Sequence, residues 1–276
     1  MRIDAHQHFW DLDRFSYPWM PPAPSKLRRN YLPEDLAPIL ERNHFEGSIA
    51  IQATTSVEET RWLLELASRH DLMLGVVGWV DLTDPRLGAA LDELQKHPKF
   101  RGVRHPVHDE SDLNWLVRED VIAGLQELAR RNLPYDLLLL PEHLPLVPRA
   151  AERVPELRMV IDHIAKPKIA KGQMEGWAQG MERAAEIPQV YAKLSGMITE
   201  ADPEHWKAED LVPFVRHVYG LFGPDRLMFG SDWPVCLLAG TWKEVLAAFT
   251  QSLGPLPKET RSKLLGETAE RFYLTS

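Results

Sequence analysis

Two histidines stand two residues apart in Met1-Arg-Ile-Asp-Ala-His-Gln-His8, and far downstream a carboxylate closes Leu227-Met-Phe-Gly-Ser-Asp232. The first segment reads as a strand. Strand side chains alternate between faces, so His6 and His8 point the same way. Neutral imidazole is a common ligand for zinc and similar metals, and the pair is spaced to chelate. Asp232 ends a second apparent strand. It is the best general base in the chain, able to take a proton from a water that attacks a carbonyl. If a metal is held, Asp232 can also ligate it, and the metal would lower the pKa of bound water. The three residues together suggest a hydrolytic centre, with or without metal. The plainer alternatives are two histidines hydrogen-bonded in a polar core and a turn aspartate capping Trp233-Pro234.

Other chemically able groups also fall at apparent strand ends: Arg104 with His105, Asp162 with His163, Lys193 with Ser195, and Ser231 beside Asp232. Ionisable groups are costly to bury unless paired, so packing alone explains them poorly. His163 reads as a ligand or as a polariser of a substrate carbonyl. Arg104 offers a planar fork suited to a carboxylate or to vicinal oxygens. Lys193 could donate to an oxyanion. Arg104 and Lys193 fit a buried ion pair equally well. His108 lies near the fourth strand end. His44, His70, His97 and His217 fall in helices or at their ends and read as surface residues, and His143 and His205 get no role. The lone cysteine, Cys236, has no histidine at a known nucleophile spacing and reads as buried.

These groups need a frame. Apolar runs at Ile3–His8, Ser48–Gln52, Leu74–Val80, Phe100–Arg104, Tyr135–Leu140, Arg158–Asp162, Val190–Leu194 and Leu227–Ser231 read as strands covered on both faces. Helical patterns lie between them. Val57–His70 follows Ser56, with Glu59 completing a capping box. Asp84-Pro85 opens a helix striped by Leu87, Ala90, Leu91 and Leu94. Asp120–Arg131, Trp206–Tyr219, Thr241–Leu253 and Lys258–Tyr273 continue the series. Strands alternating with helices fit a single-domain (β/α)8 barrel over residues 1–276. A doubly wound sheet would show a glycine-rich turn after its first strand, and here that turn is Phe9-Trp10-Asp11. Barrel active sites sit at the carboxyl ends of the strands. Pro18, Pro21, Pro22 and Pro24 follow the first strand among Trp10, Phe15, Tyr17 and Trp19, which predicts a stiff aromatic loop over that face.

The chain has 276 residues and a net charge of −8, with 44% hydrophobic and 26% charged residues. That is ordinary for a soluble globular protein. No basic stripe suggests nucleic acid, and no apolar run reaches the length of a membrane span. One cysteine permits no internal disulfide, and the first residues carry no basic-then-apolar leader, so a cytoplasmic setting is expected.

The segments Ile3-Asp-Ala-His-Gln-His-Phe-Trp10, Gly78-Trp-Val-Asp81, Gly102-Val-Arg-His105, Val160-Ile-Asp-His-Ile-Ala-Lys-Pro167, Lys193-Leu-Ser-Gly196 and Leu227-Met-Phe-Gly-Ser-Asp-Trp-Pro-Val-Cys236 run in order along nearly the whole chain. Together they resemble the sugar-lactonase group of the amidohydrolase superfamily. The resemblance implies a (β/α)8 barrel that hydrolyses a cyclic ester, an L-fuconolactone-like aldonolactone. It implies that His6, His8 and His163 match metal-site histidines and Asp232 the strand-eight aspartate. Arg104, His105, Tyr135 and Lys193 fall where this group contacts its lactone, and Trp79 and Trp233 would face the sugar ring. One departure matters. The superfamily usually carries a histidine on strand five, and Tyr135-Asp-Leu-Leu-Leu-Leu140 has none, which argues against a binuclear centre. One divalent ion, zinc or manganese, at His6, His8 and Asp232 fits, and so does a metal-free site.

The reading that results is a lactone hydrolase. Asp232 activates water, and Arg104, His105, His163 or Lys193 stabilises the oxyanion. The alternative on the same barrel is metal-dependent decarboxylation of an aromatic or dienoic acid. A small sugar lactone is the expected partner, and a homo-oligomer stays open.

Overall fold

The apolar runs become strands because helices cover them outside and facing side chains cover them inside. The computed structural model describes residues 1–275. Its strands are β1 (Ile3–Gln7), β2 (Gly47–Ile51), β3 (Met73–Gly78), β4 (Phe100–Pro106), β5 (Tyr135–Leu138), β6 (Met159–Ile161), β7 (Val190–Leu194) and β8 (Leu227–Phe229). They are parallel, and their order round the sheet is chain order. The seam between β8 and β1 closes at the top. There the Asp232 N–H donates to the His6 carbonyl at 2.8 Å, and the His8 N–H donates to the Trp233 carbonyl at 2.7 Å. The (β/α)8 barrel is thus as expected, and the backbone of the candidate site residues is what shuts it.

Outside lie α1 (Pro33–Arg42), α2 (Val57–Arg69), α3 (Leu87–Leu94), α4 (Glu119–Arg130), α5 (Leu146–Arg153), α6 (Trp177–Ala185), α7 (Met197–Glu200), α8 (Ala208–Phe222), α9 (Trp242–Leu253) and α10 (Lys258–Ser262). The sequence reading misses α1, α5, α6 and the single-turn α7. The first three each carry a residue that interrupts the helical pattern, Pro38, Pro148 and Gly180, and tertiary packing overrides it. Among the described residues no helix is long and apolar enough to cross a membrane.

Two departures from regularity shape the interior. The register of β1 on β2 slips between Asp4 and Gln7. Asp4 turns outward to accept from Trp242 Nε1 at 2.8 Å, and Gln7 also turns outward to Ser48. Both Ala5 and His6 therefore face inward, which stacks the histidines directly on an apolar layer. The second departure is at the C-terminus. The expected helix Lys258–Tyr273 keeps only its first turn as α10, and the segments Lys263–Glu267 and Glu270–Leu274 wind more widely as π-helix. The chain squeezes past its own start here. A Cβ on Gly266 would lie 2.0 Å from the Met1 carbonyl oxygen. It then delivers Ala269, Phe272 and Tyr273 into one buried cluster with Ile3, Ala5, Ile49, Ile51, Val77, Val160 and Met228. The tail thus plugs the floor of the barrel, and burying an aromatic of this size contributes about 2 kcal/mol.

At the other end, the proline-rich loop is tied to the rim. Trp10 and Tyr31 pair as an isolated antiparallel bridge, and Trp10 Nε1 donates to the Arg29 carbonyl at 2.8 Å. The capping of α2 is half as expected. Ser56 Oγ accepts from the Glu59 N–H at 3.1 Å, but the buried Glu59 carboxylate turns back to the N–H groups of Ala53, at 3.0 Å, and Thr54, at 3.2 Å. That bond shapes the rim loop after β2.

Candidate active site

His6 and His8 leave β1 side by side, with their Nε2 atoms 3.2 Å apart. The other nitrogen of each is engaged. His8 Nδ1–H donates to the Ile51 carbonyl at 2.9 Å, and His6 Nδ1 lies 3.3 Å from Asp162 Oδ1. The carbonyl fixes the His8 tautomer with its Nε2 lone pair toward His6, whereas His6 Nδ1 also lies 3.3 Å from the Lys193 ammonium. Asp232 meets them from beyond β8, where the chain takes a left-handed φ of 56°. Its Oδ1 lies 3.4 Å from His8 Nε2, 3.7 Å from His6 Nε2 and 3.9 Å from His163 Nε2.

His163 reaches this point from an unusual turn. His163, Ile164, Ala165 and Lys166 all have positive φ, between 45° and 59°. The turn projects the imidazole back over the barrel, where Nδ1 lies 2.9 Å from Ser195 Oγ. Burial pushes the His6 and His163 imidazoles well below their ordinary pKa. Burial alone would raise Asp232, but His163 and the His8 hydrogen bond outweigh it and keep the carboxylate ionised.

Beneath this layer sits a fully buried ionic column. Lys193 Nζ contacts Asp136 Oδ2 at 2.6 Å and Asp162 Oδ1 at 3.0 Å. Asp162 Oδ2 takes Arg104 Nη1 at 3.2 Å, and Arg104 Nη2 donates to the Gln52 carbonyl at 2.5 Å. Burial favours the neutral form of Asp162, yet Lys193, His6 and Arg104 together hold it well below the usual carboxylate range. Asp136, with burial dominant over Lys193, is raised to about 6.

A cavity of about 360 Å³ opens above, large enough for a small sugar derivative. His8, His163, Asp232 and Arg104 line it, joined by Gln52, His108, Lys166 and the loop residues Pro18 and Trp19. The aromatic loop over the face is therefore present. Five of the expected contact residues lie off the cavity, for reasons of strand parity and depth. His105 alternates outward from Arg104, accepts from Trp79 Nε1 at 3.0 Å and stacks on Trp115. Tyr135 is likewise outward of Asp136, fully buried between sheet and helices. Trp79 is committed to His105, and the Trp233 ring packs against Phe9 and Tyr31. Lys193 points inward but sits too deep, and its ammonium is spent on two carboxylates. Of the expected oxyanion donors, the geometry keeps Arg104 and His163 at the cavity. Lys166 and Gln52 were missed. Gln52 directly follows the last residue of β2, where site residues sit, and Lys166 carries no signal of its own outside the turn that presents it.

Two imidazole lone pairs and a carboxylate oxygen within 3.2–3.7 Å of one another repel unless a cation or proton lies among them. Zinc–nitrogen bonds of about 2.05 Å at a tetrahedral angle separate ligands by about 3.3 Å. The donor set of His6, His8 and Asp232 therefore fits one divalent ion with an open position. The chemistry this allows is activation of water beside a cationic wall.

The family described as Amidohydrolase matches residues 3–274. An L-fucono-1,5-lactonase of Burkholderia ambifaria is 39% identical, covering 99% of this chain and 95% of its own. An amidohydrolase of Burkholderia multivorans crystallised with bound zinc superposes with a TM-score of 0.92 at 38% identity, covering 99% of each chain. A dihydroxybenzoic acid decarboxylase of Polaromonas with bound manganese shares only the fold, at 12% identity and a TM-score of 0.68 over 98% of this chain and 96% of its own. The decarboxylase alternative thus rests on a shared barrel alone.

Proposed function

The chain belongs to the amidohydrolase family, and we propose that it hydrolyses a sugar-acid lactone, an L-fuconolactone-like aldonolactone. The observation that carries this reading is the approach of three imidazole nitrogens to one oxygen of Asp232, within 3.9 Å, at the floor of a cavity of sugar size. The full-length likeness to an L-fucono-1,5-lactonase supports it. Asp232 is the general base. It takes a proton from water as the oxygen adds to the ring carbonyl. The oxyanion forms against Arg104 and His163, with Lys166 at the rim, and one such donor contributes about 3 kcal/mol. Arg104 is suited to this because two arms of its guanidinium are pinned by Asp162 and Gln52 while its Nε–H has no partner among the described residues. Collapse breaks the ring C–O bond, and the alkoxide leaves with the proton held by Asp232. A divalent ion at His6, His8 and Asp232, zinc or manganese, would lower the pKa of the attacking water and polarise the carbonyl.

The net charge of −8 and the single, buried Cys236 fit a small-molecule enzyme of a reduced, cytoplasmic compartment. The family match over residues 3–274 supports one catalytic domain. The test is proton release from L-fucono-, L-rhamnono- and L-galactono-lactone before and after strong chelation, with zinc or manganese added back. Hydrolysis of at least one lactone is expected, with loss on chelation and recovery with metal. No turnover of any of the three would reject the lactonase reading, and full activity after chelation would reject the metal's part in it.

A further inference from the structure

We propose that Tyr273, three residues from the chain end, is a positioning residue for the active-site histidine His6. The connection is unbroken. The Tyr273 hydroxyl donates to both oxygens of Asp136, at 2.9 and 2.8 Å. Asp136 binds Lys193 at 2.6 Å, and the ammonium also lies 5.4 Å from the centre of the Tyr273 ring. Lys193 in turn stands 3.0 Å from Asp162 Oδ1 and 3.3 Å from His6 Nδ1.

That last pair of distances is the point of the device. His6 Nδ1 has two neighbours of opposite character. Asp162 Oδ1, at 3.3 Å, can only accept, and the Lys193 ammonium, at 3.3 Å, can only donate. If Nδ1–H donates to Asp162, Nε2 keeps its lone pair and faces His8 and Asp232. If Lys193 donates to Nδ1, the ring proton moves to Nε2 and the lone pair at the reaction centre is lost. Asp136 weighs on the choice by drawing the Lys193 ammonium in to 2.6 Å, closer than its 3.3 Å approach to the ring, and Tyr273 holds Asp136 through both oxygens. The C-terminal plug therefore sets a tautomer as well as closing the barrel floor. Neither an apolar plug nor a truncated tail could do both.

The test is ¹⁵N NMR of the histidine side chains in the full-length, metal-free protein, with His6 assigned by substitution. The unaltered protein should show His6 protonated at Nδ1. Tyr273→Phe should bring in the Nε2-protonated form and weaken zinc binding, measured by competition with a chromophoric chelator, tenfold or more. Phe272→Leu loosens the same plug beside the Tyr273 ring but leaves every polar group of the column in place. It should lower the melting temperature and leave the tautomer unchanged. If Tyr273→Phe does not fold, Asp136→Asn cuts the column one step higher and should produce the same tautomer change. An Nε2-protonated His6 in the unaltered protein would overturn the proposal, as would a tautomer indifferent to Tyr273 and Asp136. The inference builds on the Proposed function only in taking His6 as a site residue. Failure of the lactonase reading would appear as absent turnover with these spectra unaffected.

Discussion

Gly196 is where backbone and catalysis can be separated by one pair of substitutions. Its φ is +61°, and a Cβ there would lie 2.5 Å from His163 Nδ1 and 2.8 Å from Cγ. Gly172 has nearly the same left-handed backbone, φ +60° and ψ 21° against ψ 11° at Gly196, with nothing within 4 Å of a Cβ. Alanine at either position takes the left-handed penalty of about 1 kcal/mol. For a chain of this size that lowers the melting temperature by about 3 °C. Only Gly196→Ala also meets the imidazole. Ordinary contact begins at 3.4 Å, so the ring must retreat by about 0.9 Å. The 2.9 Å contact with Ser195 Oγ cannot survive that. A catalytic group misplaced by about 1 Å costs about 100-fold in rate. The measurement is kcat/KM for lactone hydrolysis beside the thermal midpoint of each variant. Gly172→Ala should keep full activity, and Gly196→Ala should lose about 100-fold at a comparable loss of stability. Activity of Gly196→Ala within threefold of the unaltered enzyme would refute the role given to His163.

Asp232→Asn should fold normally and lower kcat by about 10³-fold, in the range of a lost general base. Retention of near-normal turnover would remove Asp232 from that role. Trp19 lines the cavity from the loop, and its Nε1 donates to the Ala53 carbonyl at 2.6 Å. Trp19→Ala should raise KM about tenfold, the loss of about 1.4 kcal/mol of ring contact, with kcat little changed. An unaltered KM would place the sugar elsewhere. Burial lifts the Glu59 carboxyl from 4.5 to about 7, so the folded chain holds this proton more tightly than the unfolded one. The contribution is fully present below about pH 4.5 and is lost as pH rises through about 7, about 3 kcal/mol in all. Urea unfolding from pH 4 to 8 should show that decline, and Glu59→Gln should flatten it. An equal slope in both proteins would show that Glu59 does not titrate this way.

The barrel was legible because strand composition and spacing report double-sided burial directly, and the eight apolar runs each map onto a strand. His6, His8 and Asp232 were legible for the same reason, since strand ends locate the catalytic face. What failed was which neighbour faces in. Arg104 and His105 are adjacent, and parity alone assigns one to the cavity and the other to Trp79 and Trp115. Depth was equally hidden. Lys193 has the right parity and the wrong height, and its partner Asp136 lies 57 residues away in the sequence, itself held by the still more distant Tyr273. The bulge in β1 has no marker either. No glycine sits at Ala5 or His6 to announce that two consecutive residues share a face.

The turn at His163–Lys166 carries the deepest version of this problem and a reason for it. Four consecutive L-residues in the left-handed region cost about 1–2 kcal/mol each, a sum comparable to the whole stability of many domains. None is glycine, so no local preference points there. The turn persists because its surroundings over-determine it. Ile164 and Ala165 are fully buried, Trp177 Nε1 donates to the Ile164 carbonyl at 2.6 Å, and Lys166 is tied to Glu200 at 2.9 Å. A right-handed continuation of β6 would start an ordinary helix at Asp162 and carry His163 off the axis. The left-handed turn leaves Asp162 in the ionic column, swings His163 over Asp232, and brings Lys166 to the same cavity wall. Strain of this size at one strand end, where three polar side chains are aimed at once, is what a preorganised site requires.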